Sequence, residues 1–333
     1  MAYLDSVVST DWLAARLHDP AIRVVDVSTY VHQLGAMGGL FEALPIGELS
    51  TVEGGTIDVP AFTLNGTSTR VTIYPGRPGG GQYRIWTGRE VYEESHVPGA
   101  VFADIDEFCD QDSKLRYTAL PHDAFAARAG ALGLGDVGTT IVLYDQGIGI
   151  SFWASRLWWQ FRLEGFDDVV VLEGGFRKWA AEGRAVEGGN VLLPPVVFDG
   201  QRRDELLASI DEVEVAIDDP SRLIVDSLSP ADYRGDHASY GGRGHIPSSI
   251  NVFCASHTDS ATNTLLPDDV LTARLGASGV LDEDKRVITY CGGGIGATWN
   301  ALVLHHLGKT DVAVYDGSMF EWSSDPSRPL ETA

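Results

Sequence analysis

Cys291 stands alone in a glycine-rich turn, within the stretch VITYCGGGIGATWNALVLHHLG that runs from Val287 to Gly308. β-branched and aromatic residues lead into it as they do into a buried strand, and a helical pattern follows the glycines. Strand, glycine-rich turn and helix N-terminus together form an anion cradle. Successive N–H groups converge, and the helix dipole adds partial positive charge. With a thiol at the first position, the anion held is the cysteine's own thiolate. A free thiol titrates near ~8.5, and a helix N-terminus lowers this value. Cys291 is therefore the candidate nucleophile, expected as thiolate at neutral pH. The amides of Gly292, Gly293, Gly294, Ile295 and Gly296 are its candidate cradle.

Two rival chemistries use similar loops. Nucleotide sites need GxGxxG spacing or a P-loop Lys-Ser/Thr, and GGGIGA has neither. A cysteine phosphatase needs an arginine to close the loop and grip phosphate with two parallel bonds. Positions 292–297 are Gly, Gly, Gly, Ile, Gly and Ala, which argues against it. No metal site is expected. The three cysteines, Cys109, Cys254 and Cys291, have no CxxC spacing. His305 and His306 are adjacent on a helix and do not share a face. Cys109 and Cys254 are expected to be buried and inert.

The elements that position Cys291 occur twice. IRVVDVSTY (22–30) resembles RLIVDSLSPADY (222–233), and SHVPGAVFADI (95–105) resembles GHIPSSINVF (244–253). IVLYDQGIGISFWASRLWW (141–159) resembles the cysteine stretch, and VVLEGGFRKW (170–179) resembles VAVYDGSMFEW (312–322). The order is the same in both halves, and Asp145 takes the place of Cys291 in the first. The short β-branched runs suit strands buried on both faces of a parallel sheet. Helical patterns such as HDAFAARAGALG and DDVLTARLGASG fill the gaps and end in glycine, as helix C-caps do. The fold class expected is α/β: two duplicated domains, each a mainly parallel sheet flanked by helices. Their bounds are expected at 1–186 and 206–333, with a Gly/Pro-rich linker at 187–205. A long connection at about 35–90, absent from the second copy, alternates β-like runs with turns and reads as a hairpin insertion.

Composition narrows the partners. The formal net charge is −23, with only four lysines, which argues against nucleic acid and anionic membrane surfaces. Few, unpatterned cysteines fit a reducing compartment. The first residues carry no basic and apolar leader, and no apolar run reaches ~18 residues. A cytoplasmic protein is expected.

Taken together, the chain resembles the tandem-domain rhodanese-type sulfurtransferases, the family of thiosulfate and 3-mercaptopyruvate sulfurtransferases. The resemblance is carried by the paired HVPGA/HIPSS turns, FADIDEFCDQDSKLRYTALP after the first, the cysteine loop and YDGSMFEW. It implies two rhodanese-like domains, the first inactive with Asp145 in place of cysteine. It also implies a Cys291 persulfide as the only carrier, with no separate cofactor. A small-molecule donor would load it, and a thiol, cyanide or protein would accept the sulfur. Thiosulfate enzymes carry basic residues in the loop, whereas mercaptopyruvate enzymes read Cys-Gly-Ser-Gly-Val-Thr. Cys-Gly-Gly-Gly-Ile-Gly is nearer the second type, with Gly293 and Gly296 replacing the serine and threonine. By the same resemblance His96, Arg234 and Arg243 are substrate-binding candidates, with turn-stabilising and surface roles as the alternatives. The insertion adds Arg70, Arg77, Arg84 and Arg89 among Tyr83 and Trp86, an active-site cover, a docking surface or a solvated hairpin. A persulfide carrier serving a biosynthetic partner is the alternative to a turnover enzyme.

Overall fold

The computed structural model describes residues 6–33, 57–64, 67–74, 83–146, 150–259 and 261–333. Strands β1 (Val7–Val8) and β2 (Ile22–Asp26) open the first unit. An antiparallel sheet follows, made of β3 (Thr29–Gln33), β4 (Ile57–Leu64), β5 (Thr67–Tyr74) and β6 (Tyr83–Thr87) in the order β3-β6-β5-β4. The chain then returns through β7 (Val101–Phe102), β8 (Thr140–Tyr144) and β9 (Val169–Leu172). These complete a parallel sheet of order β1-β9-β8-β2-β7.

The second unit repeats this path. It contains β10 (Leu207–Ala208), β11 (Arg222–Asp226), a small hairpin of β12 (Ala238–Ser239) and β13 (Gly242–Arg243), then β14 (Ile250–Asn251), β15 (Arg286–Tyr290) and β16 (Val312–Tyr315). Its parallel sheet has the order β10-β16-β15-β11-β14, which is the first order again. The central strands are buried along almost their whole length, so both faces must be covered. The expected C-caps are present: Gly133 and Gly279 adopt φ of 76° and 81°.

The antiparallel sheet extends beyond the insertion expected at about 35–90 on its N-terminal side. β3 begins at Thr29 and pairs with β6, Thr29 opposite Thr87, so the antiparallel sheet takes in residues that the repeat alignment gave to the core. Similarity between IRVVDVSTY and its second copy hides this, because both continue as extended chain. Residues 188–203, within the expected linker, carry no helix or strand and lie along the first unit. The Val196 amide donates to the Gly130 carbonyl, and the Phe198 ring meets Phe125 edge-on at 5.6 Å.

The helices that follow β8 and β15, Phe152–Leu163 and Ile295–His306, pack against each other between the sheets. Ser155 Oγ lies 3.2 Å from Thr298 Oγ1 across this contact. The first helix is buried on nearly all sides, with Trp153, Leu157, Trp158 and Phe161 as its large apolar side chains, as a helix enclosed by a sheet and a partner helix requires. Each such side chain contributes about 1.5–3 kcal/mol of burial. One hydrophobic core therefore runs through both units, and the cysteine loop sits at its edge. No helix among the described residues is long and apolar enough to cross a membrane.

Candidate active site

Cys291 follows β15 directly and is buried. Its loop is held from the far side by the start of helix Ser318–Trp322. Ser318 Oγ accepts the N–H groups of both Cys291 and Gly294, each at 3.1 Å, and donates to the Tyr315 carbonyl at 2.8 Å. The amides of Met319 and Phe320 donate to the carbonyls of Cys291 and Gly292. This corrects the expected cradle. Gly294 does not present its N–H to the thiol, because Ser318 takes it. The amides of Gly292, Gly293, Ile295 and Gly296 have no acceptor among the described residues. They are the groups left to receive an anion, two of them at the helix N-terminus where intrahelical acceptors end. Ser318 itself is fully buried with φ of 50°, a strained backbone maintained by these contacts. Ser318→Ala should leave two buried amides without an acceptor, at about 1–3 kcal/mol each. A 10- to 100-fold loss in kcat/KM with a lowered Tm is expected from steady-state kinetics and thermal melts.

The glycines have separate reasons. Gly294 caps the helix with φ of 79°, a left-handed conformation that L side chains resist. A Cβ on Gly292 would lie 2.2 Å from Cε1 of Tyr240. The sequence reading missed Tyr240. It stands at the tip of the β12–β13 hairpin with φ of 52°, followed by Gly241 at 88°. Two successive positive φ values mark the tight turn that matches strand twist, where Asn-Gly is usual. A tyrosine there is strained, and its ring is pressed onto the cysteine loop. Cys254 is also closer than expected: a Cβ on Gly296 would sit 3.3 Å from its Sγ and 3.7 Å from Cβ of Cys291. Burial pushes the Cys254 thiol up, so it stays protonated beside the loop.

The first unit reaches into this site. Arg156, fully buried on helix Phe152–Leu163, donates to the Gly294 carbonyl at 3.2 Å, to Asp316 Oδ1 at 2.5 Å and to the Tyr117 carbonyl. The other Asp316 oxygen accepts the Ala119 amide at 2.8 Å. At the same position of the equivalent helix the second unit has Trp299, so nothing in the second copy foretold Arg156. The unit without a thiol thus grips the loop of the unit that has one. Beneath the loop, Tyr290 OH donates to Asp226 Oδ2 at 2.7 Å. Burial raises the Asp226 carboxyl to about 6. Tyr290 OH also accepts the Ile246 amide, as Tyr144 OH accepts the Val97 amide in the first unit.

The substrate-binding candidates fall elsewhere. His96 is fully buried, stacked on Tyr92, with Nδ1 donating to the Tyr92 carbonyl at 2.6 Å and Nε2 3.3 Å from Glu187. Its repeat mate His245 stacks on Tyr233 and donates to that carbonyl in the same way. This is the geometry of a turn anchor, the alternative to a substrate contact given for His96. Arg234 is exposed and paired with Asp236 at 2.6 Å. Arg243 is exposed and donates to the Gly235 carbonyl at 3.2 Å. Among the described residues neither guanidinium bonds to the cysteine loop. In the insertion, Arg89 lies over the Phe102 ring at 4.7 Å, Arg70 and Arg84 sit on β5 and β6, and Arg77 lies outside the described residues. His305 and His306 turn to different partners, Ser6 and Asp268.

Two repeated parallel α/β units, with one thiol at a strand-to-helix turn of the second, define a tandem α/β protein built for thiol chemistry. The rhodanese-like domain model matches residues 86–182 and 209–325. The chain is 31% identical to thiosulfate/3-mercaptopyruvate sulfurtransferase 1, mitochondrial, of Arabidopsis thaliana, over 98% of this chain and 78% of that protein. It is 36% identical to thiosulfate sulfurtransferase of Bos taurus, over 70% of this chain and 79% of that one. The crystal structure of the 3-mercaptopyruvate sulfotransferase of Escherichia coli superposes with a TM-score of 0.69 at 26% identity, covering 95% of this chain and 99% of that one. The chain belongs to the rhodanese family, in its tandem sulfurtransferase branch.

Proposed function

We propose that the protein transfers sulfane sulfur through a persulfide on Cys291. The observation that carries this reading is the set of unengaged amides, Gly292, Gly293, Ile295 and Gly296, around a buried thiol at a helix N-terminus. The Cys291 thiolate attacks the donor's sulfur. With a 3-mercaptopyruvate-like donor, the carbon–sulfur bond breaks and its electron pair stays on carbon as an enolate, which takes a proton to give pyruvate. The amides stabilise the charge on the sulfur they surround. An acceptor thiolate then attacks the outer sulfur, and Cys291 leaves as thiolate. The sulfur is carried on Cys291 itself, so no separate cofactor enters the cycle.

A mercaptopyruvate-like donor is favoured over thiosulfate. A dianion calls for a cation beside the loop, and the position after Cys291 is Gly292, covered by the Tyr240 ring. We place the protein in a reducing compartment such as the cytoplasm, because all three cysteines are unpaired. The test is mass spectrometry after incubation with 3-mercaptopyruvate and, separately, thiosulfate. The added mass of one sulfur on the Cys291 peptide is expected, with more from 3-mercaptopyruvate. Sulfur on the Cys254 or Cys109 peptide instead, or on none, overturns the reading.

A further inference from the structure

Three aromatic rings from three separate elements close on the glycines of the cysteine loop. Tyr240, from the hairpin tip, covers Gly292. Phe320, from the C-terminal helix, reaches within 3.1 Å of where a Cβ on Gly293 would be, and Phe152, from the first unit, within 3.7 Å of one on Gly296. Tyr240 and Phe320 meet edge-to-face with centroids 5.2 Å apart. Phe320 is 46% exposed, among the few large apolar side chains left open to solvent. Arg234 is engaged by Asp236, Arg243 by the Gly235 carbonyl and Arg156 by Asp316. The net charge of −23 further repels small anions.

From this arrangement we infer that Tyr240 and Phe320 determine acceptor specificity, favouring a thiol carried on an aromatic body over a small or anionic one. The inference rests on Cys291 carrying the sulfur. Loading extends the reactive atom outward by about 2 Å, one S–S bond. The acceptor therefore sits further from Cys291 than the donor's sulfur does, where we place it beside the rings that flank the loop. There its own ring packs edge-on or offset against Tyr240 and Phe320. Its thiolate attacks the outer sulfur, the bond between the two sulfurs of the Cys291 persulfide breaks, and Cys291 leaves with the electron pair. The product is the aromatic persulfide, and no outside oxidant or reductant is consumed. Tyr240 keeps a strained turn position suited to asparagine while its side chain packs on the core of the second unit and on the loop.

The experiment loads the full chain with sulfur, verifies one added sulfur by intact mass, removes the donor, and follows discharge by mass. The acceptors are phenylmethanethiol, 2-mercaptoethanol and 2-mercaptoethanesulfonate, each normalised to its reaction with a small-molecule persulfide. The wild type should discharge to phenylmethanethiol about 10-fold faster than to either other thiol, from two ring contacts. Phe320→Leu alters an exposed side chain, and Tyr240→Asn suits the turn, so both should fold. Each should cut that ratio to about 3-fold or less. A wild type that prefers the sulfonate, or variants that keep the full ratio, overturns the inference. Uptake of sulfur followed by equal discharge sinks this inference alone. No uptake of sulfur sinks the Cys291 reading and this one with it.

Discussion

Cys291→Ser is expected to lower sulfur-transfer turnover by about 10⁴-fold or more, with little change in folding. The nucleophile is the one group whose removal stops both half-reactions, and single deletions of such groups cost nearly as much as deleting the whole machinery. Serine fits the space, and its hydroxyl is a poor nucleophile without a base. The surrounding amides of Cys291 and Gly294 still have Ser318 as acceptor, so the loop should hold its shape. Steady-state turnover with 3-mercaptopyruvate and a thiol acceptor, alongside a thermal melt, checks both halves. A variant retaining more than about 1% of turnover would transfer the role to another thiol, and Cys254 is the one packed closest to Gly296.

Arg156→Met should damage activity from the other unit. It removes the donor from the Gly294 and Tyr117 carbonyls and leaves Asp316 without its cationic partner. Leaving one member of a buried pair unpaired costs about 3–5 kcal/mol. The expected result is a loss of that order in urea unfolding and about a 100-fold fall in kcat/KM. The double variant Arg156→Met with Asp316→Asn separates the two effects. Stability should recover in part, because the unpaired charge is gone. Turnover should not recover, because Gly294 still lacks the donor that fixes its carbonyl. A destabilised Arg156→Met with full turnover would show that the loop holds its geometry without the first unit.

This dependence gives the thiol-less unit a physical role. Duplication leaves helix Phe152–Leu163 facing helix Ile295–His306 across one shared core. A cation on the first helix can then bond to a loop that opens the second. At the position of Arg156 the second helix carries Trp299, so the grip runs one way, from the unit holding Asp145 to the unit holding Cys291.

The sequence by itself determined the duplication, the parallel α/β units and the thiol. These are local facts: β-branched runs of strand length, glycines ending helices, and a cysteine between a strand pattern and a helix pattern. It also pointed to the loop amides from Gly292 to Gly296, of which Gly294 spends its N–H on Ser318. Only the tertiary structure decided what surrounds the loop. Ser318, Asp316 and Phe320 approach from the next strand's end, Tyr240 from a hairpin, and Arg156 from the other unit. None has a spacing relation to Cys291, because contacts between elements depend on how sheets and helices stack and not on distance along the chain. The same physics governs His96, Arg234 and Arg243. Their residue types suit substrate binding, but the fold supplies each with a nearer partner: Tyr92 and Glu187 for the histidine, Asp236 and the Gly235 carbonyl for the arginines.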